Sequence, residues 1–94
     1  MHIRWNEEKS VWLERERGIS FEEIRANLEA GNLLADLPHT QQDRYPGQRL
    51  LILCLHGRTL VVPYVEEEDG IFLKTAYVSR KAAKRYSGGA HEKG

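Results

Sequence analysis

An unbroken apolar run, Leu50-Leu51-Ile52-Leu53-Cys54-Leu55, leads straight into His56-Gly57 and then into Arg58-Thr59-Leu60-Val61-Val62-Pro63-Tyr64-Val65. Nothing else in the chain constrains its fold as strongly. A short run without alternation, bounded by turn residues, reads as a buried strand over 48–55. A two-residue link containing glycine makes the following run its antiparallel partner over 58–65. Pro63 has no N–H to give a ladder, so it fits that partner only at an edge or where no ladder bond is needed. Glu66-Glu67-Glu68-Asp69-Gly70 is a second, acidic turn, and 71–78 supplies a third strand of the meander. Residues 1–5 and 33–37 read as further short strands, and 38–47 as a polar loop holding Pro38, Pro46 and Gly47.

Helix signals are local and well formed. Asn6 can cap a helix running to about Arg17, with Glu7 and Glu8 in the turn that the dipole favours for acids. Val11, Trp12 and the stem of Arg15 are expected to form its inner stripe, and Gly18 to end it. Ser20-Phe21-Glu22-Glu23 is a capping box, with Ile19 and Ile24 at the two positions of a hydrophobic staple. Phe21, Ile24 and Leu28 then share one helical face, and Gly31 closes the helix. Ser79 caps a last short helix to Tyr86, and a disordered tail is expected over 87–94. The order β-α-α-β-β-β-β-α gives a single α+β domain over 1–86: an N-terminal strand and two helices packed on a largely antiparallel sheet, then a short C-terminal helix, with the helices on one sheet face.

Net charge is +0, which argues against a generic nucleic-acid binder, but the charges are segregated. Residues 1–73 carry 8 Lys/Arg (5 before position 40, 3 after) against 13 Asp/Glu (8 and 5), whereas 74–94 carry 6 against 1. Positive charge gathers at Lys74, Arg80, Lys81, Lys84 and Arg85, around the strand-to-helix junction. Cations in a first helical turn oppose the macrodipole, so helix stability does not select them. Such a junction suits a phosphate-bearing partner; a solvated basic helix end is the alternative. Cys54 is the only cysteine, which excludes an internal disulfide and sites built on thiolate pairs, and its apolar run makes it a buried small hydrophobe. No histidine pair has metal-ligand spacing, so neither metal nor cofactor is expected. Met1–Glu8 lacks the pattern of a signal peptide and no apolar stretch reaches membrane-spanning length, so a cytoplasmic protein without membrane contact is expected.

Three segments together resemble the BrnT-type toxins of bacterial type II toxin–antitoxin systems, small ribonucleases of RelE/ParE-like fold. They are Trp5-Asn6-Glu7-Glu8-Lys9, Arg17-Gly18-Ile19-Ser20-Phe21-Glu22-Glu23 and Val78-Ser79-Arg80-Lys81-Ala82; Gly57-Arg58-Thr59-Leu60-Val61-Val62-Pro63-Tyr64 adds a fourth match between the last two. The similarity covers about residues 3–86. Two positions depart from the family pattern. Arg17 stands where the family has a histidine, and Thr75 stands five residues before Arg80, where it usually has an arginine. Lys74 is one residue off, on the opposite strand face.

The resemblance implies a RelE-like fold, metal-independent cleavage of RNA, with mRNA the expected kind, and silencing by a cognate antitoxin within a homo- or hetero-oligomer. Arg80 is then the group that stabilises phosphorane charge, because a guanidinium holds two phosphate oxygens at once. Lys84 is the second catalytic candidate, four residues on along the helix, and Tyr64 the third, for base stacking or proton transfer. Lys74, Lys81, Arg49 and Arg44 are the RNA-binding candidates, with His39 beside Arg44 in the polar loop. Each has a plainer reading, as a solvated cation or a core-edge tyrosine. Trp5 and Trp12 read as core anchors. A catalytically degenerate module that binds a partner without cleaving RNA is the competing function, and self-association of an unrelated α+β domain through its acidic turn and basic helix a third.

Overall fold

The computed structural model describes residues 2–87. In chain order the elements are β1 (His2–Trp5), α1 (Glu7–Arg17), α2 (Phe21–Glu29), β2 (Leu33–Pro38), β3 (Gln48–Leu55), β4 (Arg58–Glu67), β5 (Gly70–Leu73), β6 (Tyr77–Val78) and α3 (Arg80–Ala82). A wider π turn over Ala83–Ser87 continues α3. The sheet is mixed and mostly antiparallel, in the order β1-β5-β4-β3-β2, with β6 also paired to β4. Only the β1–β5 pair is parallel. The architecture is α+β. Ser87 is the last described residue, so the expected disordered tail lies outside the described residues apart from that one. Among the described residues, no helix is long and apolar enough to cross a membrane.

The β3–β4 hairpin forms as its sequence predicts, with Leu55 opposite Arg58 and Gln48 opposite Val65. His56 (φ 54°) and Gly57 (φ 75°) both lie in the left-handed region, which the favoured two-residue hairpin turn requires. Alternation then divides the apolar run between two faces. Leu51, Leu53, Leu55, Leu60, Val62 and Tyr64 join Leu13, Ile19, Phe21 and Ile24 beneath α1 and α2. Ile52 and Val61 point the other way and are covered by Ala82, with Tyr86 packed beside them. The expectation that all helices share one face is therefore corrected: α3 covers the reverse. A strand apolar on both sides needs cover on both.

Capping holds the helices where the sequence places them. Asn6 accepts from the Lys9 amide (2.9 Å), and Ser20 from the amides of Glu22 and Glu23 (3.1 and 3.4 Å). The carboxylate of Glu23 reaches the His56 ring instead of completing the box, 2.9 Å from Nε2, and so ties α2 to the hairpin turn. The stripe of α1 differs from expectation. Ser10 and Leu13 face the core, Trp12 packs at its margin, and Val11 is 54% exposed, with Arg15 also at the surface. A small Ser10 lets the helix approach the sheet closely while Leu13 fills the contact, which rotates Val11 outward. Trp5 stacks on Phe21 (5.6 Å between centroids), in keeping with an anchor. Cys54 is half-buried rather than enclosed.

The third strand is not continuous. It runs over Gly70–Leu73, leaves the sheet at 74–76, and returns as Tyr77–Val78 opposite Val61 and Leu60. Pro63 lies at the gap in β4 between the two pairings. Its carbonyl accepts from Lys74 N (2.8 Å), so its missing N–H faces the same gap and leaves no ladder partner stranded. Arg17 holds the detour from the other side, donating Nη1 to the Ala76 carbonyl at 2.7 Å.

Candidate nucleic-acid interface

The chain returns from the detour through β6, where Ser79 N donates to the Thr59 carbonyl (2.9 Å) and anchors the start of α3 on β4. Ser79 Oγ then accepts from Ala82 N at 3.0 Å, the cap read from the sequence. Ala82 points inward; Arg80, Lys81, Lys84 and Arg85 are exposed. Among the described residues none of these four forms an ion pair, whereas Arg4 pairs with Glu67, Arg15 with Glu16 and Arg49 with Asp36. Exposed cations so close together repel one another, and a polyanion relieves that repulsion. The helix widens over Ala83–Ser87, so Arg80, Lys81, Lys84 and Arg85 all fall within about two turns of one short helical segment.

Tyr64 does not join this group. It lies on the α1/α2 face, while Ala82 sits on the reverse, so the sheet separates the tyrosine from α3. Its ring is 3% exposed and offers no face to a base. The hydroxyl donates to Asp36 Oδ1 at 2.7 Å and accepts from Arg49 Nε at 3.2 Å. Burial first, and the bond to Asp36 second, push the phenol from about 10 up to about 12. At neutral pH it stays protonated, its O–H donating a hydrogen bond to Asp36. The catalytic expectation for Tyr64 is corrected on that ground.

Arg49 is drawn into the same contact. Its Nε is 3.1 Å from Asp36 Oδ1, and Nη2 donates to the Asp36 carbonyl at 3.3 Å. Hydrogen bonds to Tyr64 and then to Asp36 raise its already high pKa, so the charge is permanent and already paired. Arg49 thus bridges β2, β3 and β4 and is withdrawn from the RNA-binding candidates. Asp36, the centre of this network, carries no signal in the sequence beyond being one polar residue in a short strand.

Arg44 stays exposed in the 39–47 loop, its guanidinium 5.9 Å above the Tyr45 ring. Gln42 shapes this loop, donating Nε2 to the carbonyls of His39 (2.9 Å) and Gln48 (3.0 Å) while accepting from Gly47 N (3.1 Å). His39 Nδ1 accepts from Gln41 N at 3.0 Å, and its ring tilts against Tyr45. Lys74, released from the strand at the detour, lies 5.7 Å above Phe72. Arg17, in the place of the histidine of BrnT-type toxins, lies over Trp12 (4.8 Å) as well as holding Ala76. Thr75 is half-buried within the detour itself. Of the two departures, Arg17 holds the detour and Thr75 forms part of it.

These features define a small α+β protein whose mixed sheet presents an unpaired cationic helix on one face. The chain belongs to the DUF4258 family, a domain of unknown function, whose model matches residues 14–78, well over half of the chain. The match spans both turns, the detour and β6, and stops just before Ser79. No curated protein and no solved structure matches the chain.

Proposed function

We propose that this protein is a RelE-like toxin of the BrnT type, a cytoplasmic endoribonuclease that works without a metal and is neutralised by a cognate antitoxin. One observation carries the reading: Arg80, Lys81, Lys84 and Arg85 are exposed on a capped turn with no carboxylate partner among the described residues. The α+β architecture and its mostly antiparallel sheet support this reading. In the reaction the RNA's own 2′-oxygen attacks phosphorus and loses its proton to solvent water, the P–O5′ bond breaks, and a 2′,3′-cyclic phosphate and a 5′-hydroxyl result. Negative charge peaks on the phosphorane, where a two-pronged guanidinium contributes most, and that is the role of Arg80. Lys84 follows on the same short helical segment and supplies a proton to the leaving 5′-oxygen, with Lys81 holding a flanking phosphate. The antitoxin covers this positive face with acidic groups, in a larger assembly.

A second reading has its own support. Tyr64 is locked to Asp36 and Arg49, Arg17 replaces a histidine, and Thr75 replaces an arginine, which together suit a toxin-like module that binds a partner without cleaving RNA. Inducible expression separates the two. The toxin reading predicts that growth stops, and that Arg80→Ala restores it while circular dichroism shows an unchanged fold. Unimpaired growth with abundant folded protein would contradict cleavage and select the binding module.

A further inference from the structure

At the 74–76 detour the sheet is notched, and a groove of about 390 Å³ opens there between α1, the 39–47 loop and β6. That volume is at the size of sites that hold one small ligand. Its lining has two kinds of side chain. Lys9 and Lys74 supply positive charge, and neither forms an ion pair among the described residues; their ammonium groups rest 4.4 Å over Trp12 and 5.7 Å over Phe72. Tyr45, Tyr77 and His39 supply rings; Tyr45 already meets His39 and Arg44 yet is 38% exposed, and Tyr77 is 39% exposed, so aromatic surface remains open to a ligand. Gln48 and Thr75 add hydrogen-bonding groups and Pro63 a buried floor. Among the described residues no carboxylate lines the groove; Glu8 belongs to the adjoining depression around Trp12. Burial, and then the nearby Tyr45 phenol, push the Tyr77 phenol above its ordinary value, which fits two rings facing a shared space.

Ring faces with lysines beside them are what a single-stranded nucleotide needs: stacking for any base, charge for its phosphates. A peptide partner would gain little from two uncompensated ammonium groups unless it were acidic, and would have no use for paired tyrosine faces beyond burial. Tyr77 also precedes Arg80 by three residues, at most about 10 Å of extended chain, so the groove and the start of the cationic helix are neighbours in the fold. From this juxtaposition we infer that the groove at Lys9, Tyr45, Lys74 and Tyr77 is a nucleotide subsite, taking one base of single-stranded RNA next to the position that α3 cleaves. The inference deepens the ribonuclease reading and rests on it.

A short 2′-O-methyl oligouridine tests it, because it lacks the attacking hydroxyl and reports binding apart from cleavage. In amide-resolved NMR titration of the full chain, shifts are expected at Tyr45 and over 74–78. Tyr77→Leu is expected to weaken binding about tenfold. The pair K9Q and K74Q together should lower the dependence of log affinity on log salt by about 1.4, as two released phosphate contacts predict. Binding by the wild type that both variants leave unchanged, or shifts confined to α3, would overturn the subsite while leaving the ribonuclease reading standing. No binding of the oligonucleotide would also overturn it. Loss of cleavage alone, with the subsite titration as expected, would instead strike the ribonuclease reading.

Discussion

Tyr64 shows how a chemically conspicuous side chain can be committed to structure. Its phenol completes a bridge across three strands, and replacing it by phenylalanine leaves Asp36 with Arg49 alone. Tyr64→Phe should cost about 1–2 kcal/mol in urea unfolding. It should also change the alkaline limb of stability. The folded phenol titrates near 12 and the unfolded one near 10, so its contribution is whole below pH 10 and is lost as pH rises from 10 towards 12. Wild type should therefore fall towards the variant across that window; parallel curves would refute the bridge. Gly70 is the other residue whose role is steric. A Cβ there would fall on the His2 carbonyl of the parallel neighbour, so Gly70→Ala should destabilise by about 1–3 kcal/mol and free β1, seen as faster amide exchange at 2–5. The residue-level signals that sequence carries well are those satisfied within a few positions, such as Asn6, Ser20 and Ser79. Asp36 and Gly70 act on partners far along the chain, and nothing local marks them.

Elements were legible in proportion to how locally they are decided. Both long helices begin and end at their caps, and the hairpin has the register its turn dictates. The break in the third strand was not legible, because Pro63 on the neighbouring strand and Arg17 on α1 decide it. The side taken by α3 was encoded, in the apolar residues on both faces of β3, yet a reading of helix order alone misses it. Ser79→Ala tests the last element. Loss of the Oγ bond to Ala82 N should cost about 0.5–2 kcal/mol and fray α3 locally, raising exchange over 80–86 while the sheet amides stay protected. Equal protection in both proteins would mean that packing of Ala82 and Tyr86, rather than the cap, holds the helix.

At the scale of the whole molecule, zero net charge hides a division of labour. Acidic residues pair with cations around β1 and β2, and Glu23 of α2 meets the His56 ring, while among the described residues the last helix keeps its charge unpaired. The charge asymmetry was visible in the sequence, but its lack of internal compensation is a property of the folded arrangement, as is the notch that brings Lys9 beside Tyr77. Charge left unpaired in this way has a consequence for partners. RNA affinity should fall steeply with salt, and an acidic antitoxin should abolish it.

Incubation of the purified full chain with a single-stranded RNA in EDTA, beside the same RNA carrying 2′-deoxy sugars at the cut positions, addresses the central claim most directly. Cleavage of the first to 2′,3′-cyclic phosphate and 5′-hydroxyl ends is the predicted result, with the second left whole and Arg80→Ala at least a hundredfold slower, as about 3 kcal/mol of lost charge stabilisation gives. RNA left intact by folded wild-type protein, or cut equally well by Arg80→Ala, would contradict the account.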